Sequence, residues 1–137
     1  MKKLKVLILI ALFITQSCSL ENDDTLFSFD IVAISEIEIP TEFEINTIVE
    51  IKTYYVQKSL CHVFYDYIFK QIRKNEIEVY LAETYIENGA CEEENFQVVR
   101  SFKLKIEDYN KYTFRFWNGR NEQGENQFIT VEVPVNQ

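Results

Sequence analysis

Three cysteines, a single histidine and several acidic pairs are the residues of this chain best equipped for chemistry. Cys18 closes the run Thr15-Gln16-Ser17-Cys18, which follows nine unbroken apolar residues from Val6 to Ile14, with Lys2, Lys3 and Lys5 ahead of them. A basic start, a short apolar core and small residues before a cut site are the three parts of a secretory signal. The apolar run is shorter than the ~20 residues that cross a bilayer as a helix, so it reads as a removable signal and not as a span. Cys61 and Cys91 are then an even pair in an exported protein, where a disulfide is the expected state. Closing a loop of about 30 residues contributes roughly 3–4 kcal/mol through loop-closure entropy. The alternatives are two free thiols, or Cys61 with His62 in a metal site. Zinc asks for about four ligands at characteristic spacings. One histidine beside one cysteine does not supply them, and no metal is assigned.

Catalysis needs a base or nucleophile held by a partner. His62 lies between Cys61 and Val63 in an alternating run, where a packed or surface imidazole is the ordinary expectation. No Gly-x-Ser-x-Gly occurs, and a chain with three glycines has no phosphate-cradling loop. Glu92/Glu93 and Glu107/Asp108 read as solvated charge. A glycosidase needs two acids facing each other across a cleft, and adjacency in sequence does not establish that. Calcium takes clustered acids, but no Asp-x-Asp-x-Asp-Gly spacing is present. No catalytic residue and no cofactor are assigned. Recognition chemistry is better represented. The stretch Trp117-Asn118-Gly119-Arg120-Asn121-Glu122-Gln123-Gly124 is expected to be a hairpin loop. Trp117 and Arg120, with Arg115 just before, are the candidate partner-binding residues, since tryptophan and arginine are favoured at binding hot spots. The plainer alternative is a solvent hairpin whose tryptophan packs on the outer sheet face beside Arg115. Tyr54 and Tyr55 are a second candidate, with core or sheet surface as their alternative.

Positioning such residues falls to β-strands, because period-two alternation runs through the chain. Phe27, Phe29, Ile31, Ala33, Ile37 and Ile39 share one face of a first strand that Pro40 ends. Ile45, Thr47, Val49, Ile51, Thr53 and Tyr55 form a second. Cys61, Val63, Tyr65, Tyr67 and Phe69 form a third, whose other face also carries Phe64 and Ile68, so it is expected to be central or covered on both sides. Ile77, Val79 and Leu81 begin a fourth, broken by Asn88-Gly89. The fifth spans Phe96 to Ile106, the sixth carries Tyr112, Phe114 and Phe116, and the seventh runs from Ile129 to Val135. Seven strands with short connections predict an all-β, antiparallel β-sandwich. A small lipocalin-like barrel is the second choice.

Composition bounds the partners. Removing residues 1–17 from the 137 leaves 120 residues, enough for one domain with its own core. Losing three lysines takes the net charge from −8 to −11. Such a surface repels phosphate backbones, so no nucleic-acid partner is expected.

The Thr15–Cys18 run resembles the lipobox of bacterial lipoproteins, in the relaxed form familiar among Bacteroidota. Ser17 fits the small residue before the cysteine, while Thr15 and Gln16 depart from the usual residues. The resemblance implies cleavage before Cys18 and a membrane anchor through its lipid. The acidic tether that follows, Glu21-Asn22-Asp23-Asp24, resembles the signal that sends such lipoproteins to the outer face of the outer membrane. A domain facing the periplasm is the alternative. Asp24-Thr25-Leu26 matches a short O-glycosylation motif of that group, with Thr25 as the acceptor. Asp108-Tyr109-Asn110-Lys111-Tyr112 resembles the Asp-x-Gly-x-Tyr run of immunoglobulin-like domains. That implies a Tyr112 hydroxyl bonded back to the corner backbone and Asn110 in the glycine position. Phe114 stands where those domains have a cysteine, and the third strand has no tryptophan. The organisation expected is a signal peptide (1–17), a lipidated acidic tether (18–26) and an immunoglobulin-like β-sandwich (27–137). The whole is similar to small Bacteroidota lipoproteins. The function expected is a non-enzymatic binding module with a protein or glycan partner. A small-ligand carrier and a periplasmic inhibitor or assembly factor are the alternatives.

Overall fold

The computed structural model describes residues 29–86 and 91–136. The signal segment, Cys18, the tether with Thr25, Phe27 and the Asn88-Gly89 turn lie outside the described residues. Within them, alternation becomes nine strands and no helix: β1 (Phe29–Val32), β2 (Ile34–Glu38), β3 (Phe43–Glu44), β4 (Ile48–Ser59), β5 (His62–Arg73), β6 (Glu76–Tyr85), β7 (Glu93–Lys105), β8 (Lys111–Arg120) and β9 (Asn126–Asn136). They form a six-stranded and a three-stranded sheet, the latter in the order β2-β4-β7. In the larger sheet β5 pairs with one edge of β6. The opposite edge of β6 is shared, β1 taking its C-terminal half and β8 its N-terminal half. β9 and then β3 continue beyond β8.

The chain is all-β, and its two sheets are consistent with a sandwich. It differs from the seven antiparallel strands expected: there are nine, and the pairs β6–β8 and β3–β9 are parallel. The expected first strand divides at Ala33. β1 joins the large sheet and β2 the small one, so the inward face changes at the crossing. Phe29 and Ile31 therefore stand beside Thr84 and Ala82 on the outer surface, while Ile34 enters the core. Asn118 clamps the crossing, its side-chain amide donating to the Ile34 carbonyl at 2.8 Å. The expected third strand, β5, is an edge strand and not a central one. A bulge after Phe64 re-phases it. Tyr67 turns inward, and Tyr65 is left 59 % exposed against the Phe29 ring.

The core lies between the sheets. Ile34, Ile51 and Tyr55 come from the small one, and Val79, Leu81, Phe114, Phe116 and Val133 from the large one. Tyr112, Phe114 and Phe116 stack along β8 at 5.9 Å centroid spacings. Phe43 meets the first two edge-on, which fixes the short β3 against the core. Each such buried side chain contributes roughly 1.5–3 kcal/mol. The backbone N–H of Glu107 donates to the Tyr112 hydroxyl oxygen at 2.9 Å, the corner bond expected of that tyrosine. Asn110, expected to stand in the glycine position of such a corner, does not have a left-handed conformation. Among the described residues the one non-glycine with positive φ is Asn46, at the turn into β4.

Candidate functional site

One end of the sandwich opens into a cavity of about 540 Å³, lined on one side by β1 and the Ala33 crossing and on another by Val56, Lys58 and His62. Its most buried group is Glu83. The alternation Ile77, Val79, Leu81, Glu83 points all four side chains inward along β6, so the last position carries a carboxylate into the interior. Glu83 is 1 % exposed, and its Oε1 has no hydrogen-bond partner. The Tyr55 hydroxyl, from the facing sheet, is likewise buried, and it lies close enough to the Glu83 carboxylate for the two to interact. Burial raises the pKa of Glu83, an effect that His62, Tyr55 and Lys58 oppose and Asp30 reinforces. Burial first, and then Glu83, push the Tyr55 phenol up to about 12. Asp30 is the register partner of Glu83 across β1 and β6, so both carboxylates line the cavity from the same face.

His62, the histidine noticed in the sequence, belongs to this end of the molecule. Its Nδ1 shares a 2.7 Å hydrogen bond with the Ser59 hydroxyl, which also accepts from the Cys61 N–H at 3.2 Å. Ser59 is 2 % exposed, so its oxygen is committed to the β4–β5 corner and shielded from any substrate. Cys61 and Cys91 are joined as a disulfide, which settles the choice among bridge, free thiols and a Cys61–His62 metal site. The bridge ties the β4–β5 corner to the chain entering β7, beside the cavity. Among the described residues no three His, Cys, Asp or Glu side chains are placed to hold a metal ion.

The Trp117–Arg120 region is built differently from expectation. Trp117 to Arg120 belong to β8, and only residues 121–125 form the loop. That loop is stitched internally: the Asn121 side-chain oxygen accepts from the N–H groups of Gln123 and Glu125, and Gly124 supplies the positive φ the turn requires. Arg115 and Trp117 are brought together on the outer face of the large sheet. Arg115 donates to Glu78 at 2.7 Å and lies 4.3 Å over the Phe128 ring. Trp117 donates to Asn126 at 3.1 Å and lies beside Tyr80. Glu78, which also meets Lys70 and the Tyr80 hydroxyl, is thereby buried on an otherwise open face. Two of the three candidate residues thus hold the sheet surface together. Arg120 is exposed at the end of its strand. Tyr55 is core, and Tyr54 reaches Glu38 on the surface.

Sequence reasoning passed over Glu83, Lys58 and Asp30. The available signal was an acid in phase with an inward apolar row. No protein family, curated protein or solved structure matches this chain.

Proposed function

We propose that this chain is a lipid-anchored, non-enzymatic binding module of the bacterial envelope, cut before Cys18 and held at the outer membrane, with its domain at the cell surface. Its body is read as immunoglobulin-like, which the Tyr112 corner bond and the division of the first strand between two sheets support. The observation that carries the binding role is the end cavity. At about 540 Å³ it falls within the roughly 300–1,000 Å³ range of small-molecule sites. It also presents a buried carboxylate, Glu83, one oxygen of which lacks a well-formed hydrogen bond, a costly arrangement in a low-dielectric interior unless something else satisfies it. The reading favours a small ligand at this cavity over a macromolecule gripped by Trp117, Arg115 and Arg120.

Two measurements test it. A thermal-shift screen of small polar compounds would compare the wild type with Val56→Trp, which plugs the cavity from its half-open wall. Stabilisation of the wild type alone is expected; equal response, or none in either protein, would remove the cavity from the case. For the anchor, labelling with an alkynyl fatty acid should mark the wild type and not Cys18→Ser. Protease shaving of intact cells should then digest the domain while a periplasmic control survives.

A further inference from the structure

We infer that the end cavity takes a small ligand carrying a primary ammonium group on a short aliphatic body, with Glu83 as its counter-charge. This rests on the cavity being a binding site. The polar demand at its wall is specific: Glu83 lines the cavity, is 1 % exposed, and its Oε1 lacks a well-formed hydrogen bond. An ammonium group answers that demand, because the carboxylate accepts a charge-assisted bond from it. Asp30 adds a second carboxylate from the neighbouring strand, so the inner wall repels anions. A metal ion would need more ligands than the site assembles. Around the acids the wall carries apolar groups from Val32, Ala33 and Val56, which suit a short hydrocarbon body. Lys58, His62, Ser35 and Asn95 supply the polar remainder of the lining. Lys58 is exposed at the rim, and its charge favours the ionised form of Glu83.

The test uses the full-length chain in detergent micelles, with ¹⁵N-labelled amides followed by NMR during titration with n-butylammonium, n-butanol and butyrate. The expected result is a saturable shift at Asp30, Val32, Val56 and Glu83 with n-butylammonium, and at least about tenfold weaker binding of the alcohol and the carboxylate. Glu83→Gln should abolish the ammonium preference while keeping the wild-type amide pattern elsewhere. Lys58→Ala should bind n-butylammonium as tightly or more tightly. An ammonium response unchanged in Glu83→Gln, or lost in Lys58→Ala, would overturn the inference. Saturable binding of butanol or butyrate at the same amides without ammonium preference would also overturn it, while leaving the cavity as a binding site. No response to any probe would count against both.

Discussion

Glu83 and Glu78 are consecutive inward and outward exceptions on one strand, and they are stabilised in opposite ways. Glu78 is surrounded by Arg115, Lys70 and the Tyr80 hydroxyl. Removing the strongest of these, as Arg115→Ala, leaves a buried carboxylate short of partners and is expected to cost about 1–3 kcal/mol in urea unfolding. Glu83 has no such set, and burial raises its pKa from the ordinary value of 4.5. The folded chain therefore holds this proton to higher pH than the unfolded chain does. Between 4.5 and the raised value the folded state binds more protons, so stability falls as pH rises. Glu83→Gln removes that slope. Against wild type it is expected to gain about 1 kcal/mol at neutral pH, with the gain fading as the pH drops toward the ordinary carboxyl value. Urea midpoints measured across that range check both the sign and the window. The sequence made Trp117 and Arg115 conspicuous by residue type. It did not reveal that each already had a partner inside the sheet, because those partners are set by strand pairing, Asn126 and Phe128 across the β8–β9 hairpin and Glu78 from the distant β6.

Among the elements, strand identity was largely legible, since alternation places Ile51, Thr53 and Tyr55 or Tyr112, Phe114 and Phe116 on one face whatever the partner strand. Sheet membership was not. Ile31-Val32-Ala33-Ile34 is four apolar residues in succession, a slip of phase that marks the crossing between sheets, yet it resembles a continuous strand by composition. The two-residue β3 is too short to show a period at all, and only its parallel pairing with Val135 and Asn136 defines it. The cysteine pair was readable by elimination. Its structural role is to fasten the corner where the chain enters the β5–β6 hairpin to the point where it leaves, across a sequence separation of 30. The double substitution Cys61→Ala/Cys91→Ala is expected to lower unfolding free energy by roughly 3–4 kcal/mol, read from urea midpoints of the oxidised wild type and the variant. Wild type treated with reductant should follow the variant.

At the scale of the whole molecule, acidic charge dominates, with 22 acidic against 14 basic side chains. Self-repulsion opposes the compact state, and salt screens it over about 8–10 Å at physiological strength. Raising sodium chloride from about 10 mM to about 150 mM is therefore expected to raise the thermal midpoint by a few degrees, on the order of 1 kcal/mol. A fall in the midpoint would mean that the local ion pairs, Lys52–Glu38 and Lys111–Glu132 among them, outweigh the net repulsion. The division of the first strand has a mechanical side as well. A load applied through the N-terminal end of the chain enters the described domain at Phe29 and meets the register pairs from Phe29–Thr84 to Val32–Leu81 before it reaches the small sheet. Asp30, Ile31, Val32 and Glu83 among them line the end cavity. Peeling them away would breach the pocket while the rest of the sandwich stayed closed. A ligand bridging β1 to Glu83 would act as a clasp, so that force on the N-terminal strand and release of that ligand would become a single event.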